Sequence, residues 1–349
     1  MGAKKRIEWI DAMRGFTMLL VVYTHIQVFG LGINVDGGFT FNQIFQLFRM
    51  PLFFFISGFI LYKADAAWDR ATAWAFLRKK FVVQIIPTMF FILVFAACFQ
   101  KELKTIFLSQ DKDGYWFTFM LFVYFAIYVS LQGMMRLFKM RRYETVALLI
   151  AGITINLLST RVERFLNPGF FHLFSIYNWN FFLYFVFGCL VKKHFGAFQK
   201  LLDSRYFVPF IQLTFLTACI YFVQYLHICE IPGLYVYVAL TGIIIVVAFF
   251  RKYEASFTQG RRLGRCLQYV GRRTLDVYLL HYFFLPRGLN VNKYELGRVI
   301  AGNPVLEFAV SISLSILVIG ICLIVSNVLR TSPILGHYLF GVQLPEDER

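Results

Sequence analysis

Apolar residues run through this chain in long blocks separated by short polar stretches. A helix needs about 20 mostly apolar residues to cross the hydrocarbon core of a bilayer. Blocks of that order lie near 12–32, 44–62, 81–99, 116–134, 145–159, 171–191, 207–227, 233–250, 274–290 and 304–329. The pattern predicts an all-α, polytopic integral membrane protein with about ten transmembrane helices. Residues 1–330 form its membrane domain and residues 331–349 a short cytosolic tail. The block at 145–159 is the shortest, and the block at 171–191 opens on polar Asn178 and Asn180. Residues 1–30 start basic and turn apolar, as a signal peptide does. Asp11, Arg14 and His25 interrupt that stretch and no small-residue cleavage site follows, so an uncleaved first span is expected.

Composition agrees. Hydrophobic residues make up 59% of the chain, charged residues 15%, and Phe alone numbers 43. Soluble domains carry about half and about a quarter, respectively. The mean hydropathy is +0.64. Only lipid can act as solvent for that much apolar surface, which excludes a disordered chain, a coiled coil, a disulfide scaffold and a soluble dinucleotide-binding enzyme.

The formal net charge of +16 is explained by where the basic residues lie. With a cytosolic N-terminus, 25 Lys and Arg fall in inside segments and 8 in outside loops, leaving Arg14 and Arg49 in or beside apolar blocks. This is the positive-inside pattern with both termini cytosolic. The charge therefore implies orientation and attraction to anionic lipid, with no nucleic-acid partner. Cys98, Cys189, Cys219, Cys229, Cys266 and Cys322 are scattered and form no C-x-x-C or Cys/His cluster, so neither a metal nor a disulfide framework is expected.

Ionisable groups inside a bilayer are costly and face interior cavities or one another. The first span carries three. At about 100° per residue, Asp11, Arg14 and His25 share one helical stripe. Asp11 and Arg14 are i, i+3 neighbours that can pair near the cytosolic end. His25 lies about 16 Å further along the axis. Imidazole is the side chain best suited to accept and return a proton near neutral pH. The second span opens Phe48-Arg49-Met50-Pro51 and runs outside to inside, which brings Arg49 to a depth similar to that of His25. Its guanidinium stays charged, and its fork could stabilise an oxyanion, orient an acceptor or snorkel to headgroups. Pro51 is expected in the first turn of this helix, and Gly58 with Ser57 at a close helix contact. His281 in the ninth span is either a second functional imidazole or a helix-to-helix hydrogen bond. Trp9, Trp116 and Trp179 are expected as interfacial anchors.

Asp11-Ala12-Met13-Arg14-Gly15-Phe16 followed by His25 resembles the first-helix signature of the acyltransferase 3 family, an Arg or Lys, ten residues, then His. Phe48 to Phe59 resembles the family's second motif as found in relatives of polysaccharide O-acetyltransferases. Trp116-Phe117, Phe182 to Gly188 and Tyr278 to His281 resemble further family positions, and the likeness covers essentially the whole chain. Many members carry an Arg-x-Arg motif; here Met50 and Pro51 follow Arg49, so the role of a second arginine is unassigned. No fused extracytoplasmic domain is expected, so acceptor specificity is expected from the membrane domain and its loops.

The resemblance implies transfer of an acyl group, usually acetyl, from cytosolic acetyl-CoA or another acyl-CoA to a hydroxyl of a lipid-linked or cell-surface glycan or glycolipid. It also implies residence in a bacterial cytoplasmic (inner) membrane. His25, Arg49 and Asp11 are the candidate catalytic residues, with no metal. Coenzyme A is polyanionic, and Arg14, Arg78, Lys79, Lys80, Arg272 and Arg273 could bind it at a basic cytosolic mouth. Its thin pantetheine arm could run up the stripe from Arg14, and His25 could then act as general base or as acyl carrier. The competing class is a secondary transporter or flippase for a lipid-linked saccharide or small anion, using His25 and Arg49 as a proton-coupled site. The lack of a convincing internal repeat counts against transporters built from repeated halves.

Overall fold

The computed structural model describes residues 7–33, 40–64, 66–159, 161–162, 165, 168–225, 232–289, 299–300 and 303–342. Every regular element among them is helical. Each of the ten apolar runs overlaps a helix over its described residues. Together with three helices outside the runs (α7, α10 and α13), these are α1 (Glu8–Leu31), α2 (Phe41–Leu61), α3 (Arg70–Cys98), α4 (Trp116–Leu137), α5 (Glu144–Ser159), α6 (Ile176–Lys193), α7 (Phe195–Leu202), α8 (Phe207–Tyr225), α9 (Pro232–Lys252), α10 (Arg262–Arg272), α11 (Thr274–Phe284), α12 (Pro304–Leu329) and α13 (Pro333–Phe340).

Six of these helices are long and apolar enough to cross a membrane: α1, α2, α3, α4, α12 and the Gly233–Lys252 part of α9. A seventh is added if α6 and α7, bent by 93° at their junction, count as one span. The shorter runs have physical reasons for their shortness. The 16 residues of α5 cover only about 24 Å at the helical rise. The run expected over 274–290 ends as a helix at Phe284, because Pro286 pushes Leu285 into extended backbone (φ −65°, ψ 131°).

Two spans widen into π-helical turns. In α3 the turn covers Phe81–Ile85, just ahead of Pro87, whose ring offers no N–H to the carbonyl four residues back. In α1 the π turn covers Ile26–Leu31 and begins directly after His25. Two local expectations change. Pro51 lies inside α2, which starts at Phe41, rather than in its first turn. Trp9 is buried at 7% exposure, packed in the protein instead of standing at an interface.

The chain divides into two compact units. The first comprises Met1–Phe53 with Gly196–Ser326, the second Phe54–Phe195 with Asn327–Arg349. In the first, α1 lies against α10 at backbone-to-backbone distance. A Cβ on Gly15 would stand 2.0 Å from the Leu267 carbonyl oxygen, and one on Gly271 1.8 Å from that of Asp11. With no side chain beyond Cα on either glycine, the two helix backbones can approach this closely. Buried Gln268 on α10 also donates to the Phe257 carbonyl (2.5 Å).

In the second unit, Phe54 of α2 packs against Phe117 and Tyr124 of α4 and Phe181 of α6. Gly58 makes the expected close contact: a Cβ there would lie 1.9 Å from the Phe185 carbonyl oxygen. Gly188 answers it at 2.0 Å from the carbonyl of Phe55. Within the segment read as a tail, α13 packs against α3, with Phe340 beside Phe91 at 6.2 Å between ring centroids.

Candidate active site

The stripe on α1 is lined by a second helix. At its start, Arg14 Nη1 lies 3.8 Å from Asp11 Oδ1. Arg14 Nη2 donates to Thr274 Oγ1 at 2.9 Å. Further along, His25 Nδ1 lies 2.8 Å from His281 Nε2. Thr274 and His281 are seven residues apart, about two turns, and so share one face of α11. Because Thr274 meets Arg14 and His281 meets His25, α11 follows α1 in the same direction. The stripe thus has a guanidinium–hydroxyl contact at one end and an imidazole pair at the other.

The two imidazoles lie nearly parallel, with centroids 5.0 Å apart and planes 8° from one another. His281 is fully buried, whereas His25 is half-buried. Tyr282 Oη stands 3.4 Å from His25 Nε2. On its far side, His281 Nδ1 is 3.0 Å from the Val277 carbonyl. His25 is the last α-helical residue before the π turn. Such turns re-aim the side chains around them and recur at functional sites.

Two further faces of α1 hold His25 in place. Thr24 Oγ1 donates to Asn42 Oδ1 (2.6 Å) and accepts from Arg49 Nη1 (2.7 Å), so the arginine of α2 is anchored one residue from His25. Gln27 Nε2 donates to Tyr23 Oη (2.7 Å) and to Glu307 Oε1 on α12. Glu307, near the start of α12 and inside its apolar run, is only 1% exposed and has no counterpart among the residues the sequence singles out.

The other cationic candidates are distributed. Arg272 is exposed at the end of α10. Arg273 donates to Ser326 Oγ (3.2 Å) and lies 3.7 Å from buried Asp276, in the same unit as His25. Arg78, Lys79 and Lys80 stand on α3 in the other unit. There Arg78 and Lys79 are exposed, and Lys80 Nζ lies over the ring of Phe125 at 4.8 Å. Asp11 stays with Arg14, fourteen residues and about 21 Å of helix from His25.

Sequence reasoning missed Thr274, Tyr282, Thr24 and Asn42, and left His281 undecided. The seven-residue spacing of Thr274 and His281 was a usable signal, since it mirrors the polar stripe on α1. Nothing in the sequence pointed to Thr24 or Asn42, which are ordinary polar residues at helix positions.

Among the described residues no group of three or more His, Cys, Asp or Glu is placed to hold a metal ion. Neither a curated protein nor a solved structure matches the chain. The acyltransferase 3 family model, described as an acyltransferase domain, matches residues 7–327, which takes in α1 with its stripe, Arg49, α11 and Glu307. This integral membrane protein therefore belongs to the acyltransferase 3 family.

Proposed function

We propose that the protein is an acyl-CoA-dependent O-acyltransferase that moves an acyl group, usually acetyl, to a hydroxyl of a lipid-linked or cell-surface glycan. In this reading all ten apolar runs cross a bacterial inner membrane, with both termini cytosolic, and the donor enters from the cytosolic side. The observation that carries it is the two-ended stripe of α1, with Arg14 at one end and His25 at the other. Its length of about 16 Å suits a thin, mostly uncharged donor arm between an anionic nucleotide and a reactive thioester.

The roles follow from the chemistry of each group. Arg14, held by Asp11 and Thr274, binds phosphate of the donor, with Arg272 as a second cation of the same unit. Asp11 is a positioning residue in this scheme, since it lies far from the reacting atoms. His25 takes the proton of the acceptor hydroxyl as its oxygen attacks the thioester carbonyl carbon. The carbon–sulfur bond then breaks, and the departing thiolate recovers that proton from His25. Arg49, fixed by Thr24 and Asn42, contributes a permanent positive charge at the level where the thioester oxygen becomes anionic.

Purified protein in lipid nanodiscs should release free thiol from acetyl-CoA only when a glycan acceptor is supplied. Acceptor movement across the membrane without thiol release would identify a transporter instead. Arg14→Ala should weaken acyl-CoA binding by about 10- to 100-fold, the value of a hydrogen bond to a charged group, as read by equilibrium binding. Arg14→Lys should recover part of the loss, since Lys binds phosphate as a point charge but lacks the fork that reaches both Asp11 and Thr274.

A further inference from the structure

His25 can carry its proton on either ring nitrogen, and only one choice leaves a base aimed at substrate. The contacts around it decide between the two. His281 Nδ1 faces the Val277 carbonyl oxygen at 3.0 Å, and a carbonyl can only accept. In a neutral ring, Nδ1 of His281 must therefore hold the hydrogen, and its Nε2 is left with a lone pair. That lone pair is 2.8 Å from His25 Nδ1. His25 must then donate from Nδ1, which leaves its own Nε2 unprotonated. The reverse order would set the bare Nδ1 of His281 against the carbonyl oxygen, lone pair to lone pair. Tyr282 agrees with the first order: its hydroxyl lies 3.4 Å from His25 Nε2, where it donates to the lone pair.

We propose that His281 is a positioning residue: anchored to the Val277 carbonyl, it fixes His25 in the tautomer whose Nε2 is the base. The chain runs from the Val277 carbonyl through His281 to His25 and ends on a nitrogen lone pair. Tyr282 Oη occupies the direction from which an acceptor hydroxyl approaches, and the acceptor takes its place. The rings meet edge to edge and nearly coplanar, with planes 8° apart and centroids 5.0 Å apart, the arrangement an in-plane N–H···N bond requires. The α-to-π junction after His25 sets the angle at which the ring meets α11. His281 touches no reacting atom in this arrangement; its effect is transmitted through His25. The role assigned to the pair rests on the reading of His25 as the base, while the tautomer stands on hydrogen-bond geometry alone.

The test reads the tautomer without substrate. Protein with ring-15N histidine, reconstituted in lipid bilayers, is examined by solid-state NMR, and the His25 signals are identified by their loss in His25→Gln. His25 should show a protonated Nδ1 and an unprotonated Nε2. His281→Ala removes the acceptor, so the two His25 tautomers should mix and kcat should fall by about 10²- to 10⁴-fold, with acyl-CoA binding unchanged. His281→Gln places a carbonyl where Nε2 stood and preserves side-chain volume better. It should keep the wild-type His25 signals and recover at least tenfold of the lost rate. A wild-type His25 protonated on Nε2 would overturn the proposal. So would a folded His281→Ala protein with unchanged His25 signals and unchanged kcat. A protein with the expected tautomer that transfers no acyl group would overturn the proposed function and leave the tautomer assignment standing.

Discussion

Glutamine at position 25 should leave the protein folded and able to bind acyl-CoA, yet lower transfer by at least about 10²- to 10⁴-fold, the usual contribution of a positioned base. Glutamine fills much of the imidazole's volume and can still bond to His281, but it cannot take a proton at neutral pH. The same substitution therefore has opposite expected outcomes at the two ends of the pair: it fails at 25, where a base is required, and rescues at 281, where an acceptor suffices. Thiol release from acetyl-CoA in nanodiscs, with ligand binding and thermal unfolding measured alongside, checks this. A folded His25→Gln protein with near wild-type turnover would reduce His25 to a structural hydrogen bond.

The second large effect concerns the helix contact beneath the site. Alanine at Gly271 would place its methyl carbon 1.8 Å from the Asp11 carbonyl oxygen, which is backbone on a helix pinned along three faces. Neither helix can yield without moving Asp11 and Arg14. We expect Gly271→Ala to destabilise the protein by about 3 kcal/mol or more, at or beyond the upper end for overpacked cores, and to lower activity through the displaced stripe. Gly320 of α12 is the control, since a Cβ there meets nothing within 4 Å. Gly320→Ala should leave the melting temperature unchanged or slightly raised, because Ala favours helix. Equal melting temperatures for Gly271→Ala and wild type in detergent would remove the α1–α10 crossing from the support of the site.

Features set by local physics are legible in the sequence. The apolar runs mark every long helix, since lipid imposes its length requirement residue by residue. The α1 stripe was legible because Asp11, Arg14 and His25 are too costly in lipid to be placed at random. Gly58 was legible because a small residue in a large aromatic run has few other uses. Three-dimensional pairing was not. The partner of His25 lies 256 positions away, and no spacing rule connects α1 to α11. Gly15 and Gly271 each look like any helical glycine until the two backbones are seen to meet. The expected span at 274–290 stops at Phe284 because proline constrains its predecessor more strongly than hydropathy extends a helix.

The most direct test of His25-dependent acyl transfer to a glycan is mass spectrometry of envelope glycans. The comparison is between cells that express the wild-type protein and cells that express His25→Gln at equal membrane level. The expected result is a mass increment of one acyl group on a glycan from wild-type cells, lost in the His25→Gln cells. The same increment in both, or in neither, would contradict it.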